Sequence, residues 1–457
     1  MKTNLSVQTL LAALRNGICT SRELQHALRL SQPRIAQLLK AAGRDVVAIG
    51  AARSCRYATP RSLRGNPRPL PLYRVEARDA AMLVSVGEVV PLAPSNTGDT
   101  LVRWNLSGES GEQIHEGFPA FLADMAPQGF LGRQFAHQHP ELELSPDVGL
   151  WSNDDILYAL SREGHDMPGA WIVGEQAAER WLAGRQHPDA PPLGGPLIAQ
   201  GDSAAAFLRL AEETMRGAAP GSSAGGEQPK FLCRVQDAHG EGEIRAVIVK
   251  FSPPDDTAAN VRWADLLCAE HVAQTVLREA GIPAARTRLL RAAGRTFLEV
   301  ERFDRVGAFG RRHVLSAKAL ADALGCRASW LEMAQAFQRA GHIQAEVVER
   351  VRLLAAFASQ IHNNDTHPGN LAFLPLADAP SLVLEAGRFE LAPVYDMLPM
   401  QYRPREDASV PSESFPEPLP SAALLPMWEA AARLAEQFRA RLAQEPLVSP
   451  DFRALWK

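Results

Sequence analysis

The stretch His362-Asn363-Asn364-Asp365-Thr366-His367-Pro368-Gly369-Asn370, followed after a short apolar run by Tyr395-Asp396, decides the reading of this 457-residue chain. Asp365, an Asn five residues later and a second Asp about one hairpin further on are the side chains that phosphoryl transfer requires. One carboxylate takes the proton of an attacking hydroxyl. An amide oxygen and the second carboxylate hold the magnesium that neutralises charge developing on the phosphate. The spacing D-x-x-x-x-N alone recurs by chance in solvated loops. A lysine, a glutamate and a phosphate-cradling loop therefore have to be found upstream.

Candidates for all three are present. Gly221-Ser222-Ser223-Ala224-Gly225-Gly226-Glu227-Gln228-Pro229-Lys230 precedes a strand predicted over 231–235. Its small residues let backbone amides approach a polyphosphate closely. It lacks the G-x-x-x-x-G-K-[ST] pattern, and as an isolated turn it means little. Ile244–Lys250 is an apolar strand ending in a lysine that can reach nucleotide phosphates. Glu270, in a helix predicted over 262–280, is spaced to pair with Lys250. Thr296–Arg305 is a strand running into a charged segment, whose backbone is a candidate adenine-binding hinge between lobes. Loop, strand lysine, helix glutamate, hinge, D-x-x-x-x-N and metal Asp follow one another in the order of a protein-kinase-like fold.

The segments SSAGGEQPK, VIVK, VERFDR, NNDTHPGN and PVYDM resemble those of the HipA family of serine/threonine kinase toxins, over roughly residues 73–457. Lipid kinases share D-x-H-x-x-N but not the ERFDR hinge. The resemblance implies an α+β, protein-kinase-like two-lobed fold that uses ATP and Mg2+ on a protein substrate. An aminoacyl-tRNA synthetase is the family precedent for that substrate. It also implies that Asp365 is the catalytic base, with Asn370 and Asp396 as magnesium ligands and His367 and Tyr395 beside them. Lys250, oriented by Glu270, would contact the α- and β-phosphates. Glu301, Arg302 and Phe303 would hold the adenine, and Ala224, Gly225, Gly226, Gln228 and Lys230 would line the phosphates. The family silences itself by phosphorylating a serine at the head of the Gly-rich loop. Ser222 matches that position, with Ser223 next. Here the loop is one residue longer than the usual Gly-Ala-Gln-Pro-Lys.

The overall charge of −4 conceals an asymmetry. Residues 1–70 carry twelve Lys/Arg against two acids, a balance of +10, which leaves −14 for the remainder. A basic segment on an acidic body points to a polyanion partner for that segment alone. Within it, a short amphipathic helix ends at Gly17, and Thr20-Ser21-Arg22-Glu23 has the form of a capping box. Ser31 is placed to cap a second helix with Ile35, Leu38 and Leu39 inside. Strands are predicted around Gly50. This pattern resembles a winged helix-turn-helix. Ser31, Gln32, Arg34, Gln37 and Lys40 would face double-stranded DNA from the recognition helix, and Arg53 and Arg56 from the wing. Fusion of such a module resembles a subgroup of stand-alone HipA homologues. It leaves open whether an antitoxin partner exists, and it is compatible with a homodimer on DNA.

Expected boundaries are 1–62 for the winged helix-turn-helix, 63–72 for a Pro/Arg-rich linker, 73–198 for a HipA-like N-terminal subdomain, 199–310 for the N-lobe and 311–457 for a helical C-lobe. Five scattered cysteines without a C-x-x-C pair argue for a reducing compartment and against a zinc site. With no apolar run near the ~20 residues a bilayer demands, a cytoplasmic protein with no membrane partner is expected. Two further readings stay open: a transcriptional regulator whose kinase-like body senses nucleotide, and a small-molecule kinase.

Overall fold

A computed structural model of the chain describes residues 2–51, 54–66, 68–94, 96, 98–106, 109–186, 193–217, 228–237, 243–326, 328–376 and 387–456. Ser222, Ser223, Ala224, Gly225 and Gly226 of the Gly-rich loop and Arg53 of the expected wing therefore lie outside the described residues.

The N-terminal module has helices Lys2–Leu14, Ser21–Leu28 and Gln32–Ala42, with a three-stranded sheet ordered Cys19–Thr20, Arg56–Ala58, Val47–Ile49. The capping box closes as its sequence requires. The Glu23 amide donates to the Thr20 hydroxyl at 3.2 Å, and the Thr20 amide donates to the Glu23 carboxylate at 2.6 Å. Ser31 occupies the N-cap of the third helix in extended backbone, but its side chain makes no capping bond. Leu10, Leu14, Leu24, Ile35 and Leu38 form the small core.

The segment expected to be a linker, 63–72, is instead built into the next domain. Leu63, Leu70 and Leu72 are buried, and Leu70–Val75 is an inner strand of a five-stranded antiparallel sheet. That sheet runs Glu109–His115, Thr100–Leu106, Leu83–Pro91, Leu70–Val75, Trp171–Val173. The prolines misled because Pro69 precedes the strand and Pro71 lies near its start, where a missing amide does little harm. The alternation of Leu70 and Leu72 decides the matter by burying one face.

The N-lobe sheet is ordered Thr287–Ala292, Arg295–Glu301, Ile244–Phe251, Lys230–Gln236, Leu197–Ala199. Its last strand pairs in parallel, so the chain enters this lobe slightly before the expected boundary at 198. Val247, Val249, Phe251, Phe231 and Phe297 pack with Phe207 of helix Ser203–Arg216 on one face. Each such aromatic stabilises the fold by about 1.5–3 kcal/mol through burial. By the period-two alternation of strands, Ile248 and Lys250 must then face the opposite way, into the cleft. The C-lobe is mainly helical, with the small sheet Leu315–Ser316, Ala372–Pro375, Phe389–Leu391 directly following the stretch 362–370.

Candidate active site

Lys250, next to last in the central strand, lies on the cleft face directly opposite Lys230 in the ladder. Helix Ala258–Glu279 crosses behind and presents Glu270, both of whose carboxylate oxygens lie 2.7 Å from the Lys250 Nζ. The same ammonium is ion-paired with Asp396. Burial works against a charge on Lys250, but Asp396 and Glu270 outweigh it and hold the ammonium above its ordinary pKa. Burial alone would raise the Asp396 carboxyl. Lys250 and Lys230 more than offset it, so Asp396 stays ionised below the usual range. Its backbone is left-handed (φ 52°), a conformation Asp tolerates better than most residues.

The stretch 362–370 is held at four points. Asn363 is buried and accepts the Asp365 amide at 3.0 Å, an Asx turn that fixes the backbone direction at Asp365. The Asn370 amide nitrogen donates to the Asp365 carbonyl at 2.9 Å, which leaves its oxygen as the acceptor for a cation. The Trp330 indole donates to the His367 carbonyl at 3.0 Å. Tyr395 donates its hydroxyl to the Gly369 carbonyl at 2.6 Å, and burial pushes its phenol well up. The Asp365 side chain itself is 43% exposed, so a hydroxyl can approach it.

His367 has a readable tautomer. The Gly369 amide donates to its Nδ1 at 3.0 Å, so in the neutral ring the proton is on Nε2, which lies 4.0 Å from the Asp365 carboxylate. A Cβ at Gly369 would meet the His367 ring at 2.8 Å, so any larger residue there displaces the imidazole from this position.

The remaining expected site residues divide. Gln228 donates to the Phe251 carbonyl at 3.5 Å, and Lys230 acts on Glu270 and Asp396 electrostatically. The Phe303 ring packs against Tyr395, 5.8 Å between centroids. Glu301 donates its amide to Arg286, and burial pushes its carboxyl up. Its alternation partner Glu299 pairs with Arg245 and Arg288 on the sheet face away from Lys250, so the Glu301 side chain does not share the face of Lys250. Arg302, expected at the adenine, spends its guanidinium on Asp304 at 2.9–3.0 Å and its amide on the Ala246 carbonyl. The ERFDR charges form an interdomain clamp: Asp304 also takes the Gly169 amide, and Arg305 reaches Asp166, both in the middle domain. A cleft of about 610 Å3 opens between Leu232, Ile248 and Arg302 of the N-lobe and Asp124, Leu131 and Met167 of the middle domain; Lys250, Glu270, Asp365, Asn370 and Asp396 are not among the residues that line it.

Sequence reasoning missed Asn363, Trp330 and the clamp. Asn363 carried a signal, an Asn two residues before Asp365. Trp330 carried none, being brought in by tertiary packing.

Comparison with known proteins covers nearly the whole chain. Residues 66–182 match the family described as "YjjJ-like toxin, middle domain", and residues 222–445 match "HipA-like C-terminal domain". The chain is 34% identical over 443 residues to "Toxin YjjJ" of Escherichia coli (strain K12), covering 96% of this chain and 94% of that protein. Among solved structures it is similar to the Shewanella oneidensis MR-1 toxin–antitoxin complex of HipA, HipB and operator DNA (15% identity, 84% of this chain and 93% of that one, TM-score 0.44). It is also similar to the Helicobacter pylori proinflammatory kinase CtkA (13% identity, 50% of this chain and 86% of that one, TM-score 0.34).

Proposed function

This chain belongs to the family of HipA-like toxins, and we propose that it is an ATP- and magnesium-dependent serine/threonine protein kinase with its own DNA-binding module. The observation that carries the reading is the meeting of Lys250, Glu270 and Asp396, drawn from three separated segments, beside a loop that orients Asp365 and Asn370. The oxygens of Asp396 and Asn370 suit magnesium, a hard cation that prefers carboxylate and carbonyl ligands. Once bound, it would neutralise charge on the phosphates of ATP.

The chain's own groups do the rest. Lys250 is kept cationic by two carboxylates and can exchange Asp396 for a phosphate oxygen while Glu270 keeps it in place. Lys230 adds a second cation on the same face. Leu232 and Ile248 offer an apolar roof for the base, with the Glu301 and Phe303 backbone at its edge. Asp365 accepts the proton of the attacking serine or threonine hydroxyl. The Nε2 of His367 lies 4.0 Å from that carboxylate, close enough to meet it after a small movement of either side chain. Ser222 is the proposed site of self-phosphorylation, with Ser223 as the alternative. The protein substrate is proposed as a component of translation only on family precedent.

DNA binding is proposed for residues 1–62. Ser31, Gln32, Gln37, Lys40 and Arg56 are exposed on that module, and Arg34 is half-buried against Gln37. Mass spectrometric mapping of phosphosites in cells expressing wild type or Asp365→Asn tests the whole reading. Phosphoserine in the Gly-rich loop and on a lysate protein, absent in the variant, is expected. ATP-modulated DNA binding without any transfer would favour a nucleotide-sensing regulator instead, and turnover of a metabolite without loop phosphoserine would favour a small-molecule kinase.

A further inference from the structure

The turn Ala120–Met125 belongs to the middle domain in sequence but to two domains in packing. Its Phe121, Leu122 and Met125 are buried in the middle-domain core, while Ala120 and Ala123 pack against the core cluster that fills the C-lobe. Asp124 lies in the same turn, and its carboxylate accepts the backbone amide of Ser316 at 2.6 Å. Burial pushes this carboxyl up, and Ser316 and Lys318 oppose that shift. A desolvated carboxylate costs free energy unless it is hydrogen-bonded. Here the compensating bond runs across to the C-lobe, and it is of the strong, charge-assisted kind.

What Ser316 holds in turn lies next to the proposed metal position. Leu315–Ser316 pairs antiparallel with Ala372–Pro375, with Ser316 opposite Ala372 and Leu315 opposite Phe373. The Ala317 amide donates to the Leu371 carbonyl at 2.7 Å, and Leu371 directly follows Asn370. Ser316 also caps the helix Ala317–Ala323, its hydroxyl accepting the Ala319 amide at 3.1 Å. That helix touches both the turn Pro368–Asn370 and the turn that carries Asp124. The unit 315–323 is thus joined to the middle domain and to Asn370 alike. Asp124 is also near enough to the Tyr395 phenol, which holds the Gly369 carbonyl, to act on it electrostatically.

We propose that Asp124 is a positioning residue for the phosphoryl transfer proposed above: from the middle domain it fixes the unit 315–323, and through it the place of the Asn370 side-chain oxygen. The inference rests on that reading for the role of Asn370 as a metal ligand. The Asn370 amide nitrogen is tied to the Asp365 carbonyl, so where its oxygen points follows from where the backbone runs. That backbone continues into the ladder with 315–317, and Asp124 holds the partner strand by the Ser316 amide. Groups that orient a metal ligand without touching the metal typically change its affinity by about 10–100-fold when removed.

Mn2+ serves as a spectroscopic probe in place of magnesium. With the full chain and the non-hydrolysable analogue adenylyl imidodiphosphate, Mn2+ binding followed by electron paramagnetic resonance should be about tenfold weaker in Asp124→Ala than in wild type. Asp124→Asn keeps an acceptor oxygen for the Ser316 amide and should recover most of the lost affinity. Ile172→Ala is the control. Ile172 is buried on the other face of the middle-domain sheet from Phe121, so this change should lower the melting temperature without moving Mn2+ affinity. Should Asp124→Ala fail to fold, Asp124→Glu, charged but one methylene longer, should still weaken Mn2+ binding several-fold. Unchanged Mn2+ affinity in Asp124→Ala or, in its place, Asp124→Glu overturns the proposal, as does an equal loss in Ile172→Ala. Binding is read without transfer, so a wild type that binds Mn2+ but transfers no phosphate counts against the kinase reading while the variants still decide the role of Asp124. A wild type that binds no Mn2+ with the analogue overturns both.

Discussion

At the residue scale, Asp365, Asn370, Asp396, Lys250 and Glu270 were legible because phosphoryl transfer demands those groups in that chain order. The Lys250–Glu270 pair then forms at 2.7 Å. What one chain could not reveal was which side chains would be spent on structure. Arg302 and Asp304 look like surface charges, and only the fold shows them consuming each other. Two predictions belong here. Gly369→Ala pushes a Cβ to within 2.8 Å of His367, so kcat should fall about 10–100-fold, on the scale of a 1 Å misplacement, while urea unfolding changes little. An additive loss in Gly369→Ala/His367→Ala would show that the glycine acts other than through the imidazole. Lys250→Met leaves Glu270 buried without its partner, which should cost about 3–5 kcal/mol in chemical denaturation. Lys250→Met/Glu270→Gln should recover much of that stability and none of the transfer activity. Recovery of neither would place the damage outside the ion pair.

At the scale of elements, the strand lysine, the glutamate helix and the hinge strand announced themselves through apolar periodicity. The 63–72 segment did not, because Pro69, Pro71, Arg64 and Arg68 outweighed the alternation of Leu70 and Leu72 in the reading. Burial outweighs them in the fold. The clamp after the hinge gives an acid-sensitive joint. Burial alone would raise Asp166, but Arg305 and Arg311 bring it down to about 2, and Asp304 is likewise held low against burial by Arg302 and Arg305. A carboxyl whose folded pKa is depressed stabilises fully above its unfolded value near 4 and loses that contribution as pH falls through the folded value. Stability should therefore fall between about pH 4 and pH 2, with about 2–3 kcal/mol traceable to Asp166. Asp166→Asn should be less stable at pH 7 and flatter across that window. An unchanged slope in urea melts at stepped pH would remove Asp166 from the account.

For the whole molecule, the charge asymmetry separated a basic module from an acidic body, but it gave no hint of how they join. Ile49, Ala58, Val90, Leu92 and Leu101 form a shared apolar cluster, and Arg103 donates to the Ala48 carbonyl. Arg61 reaches Asp154 at 2.6 Å. Strands Val47–Ile49 and Arg56–Ala58 are thus packed on the middle domain, leaving Gln32, Gln37 and Lys40 of the third helix and Arg56 exposed. Lys40→Glu/Arg56→Glu should weaken binding to duplex DNA at least tenfold and flatten its salt dependence, since each lost phosphate contact lowers the slope by about one. Salt-independent binding in gel shifts would count against an electrostatic interface. The central claim is that Asp365 and Asp396 act in one phosphoryl-transfer site. It is tested most directly by following label from γ-32P-ATP with purified wild type, Asp365→Asn and Asp396→Asn, each checked for an unchanged melting temperature. Label on the wild-type chain and on a lysate protein, with loss of about 100-fold or more in both variants, is the predicted result. A well-folded wild type that transfers no phosphate, or variants that transfer as well as it does, would contradict the account.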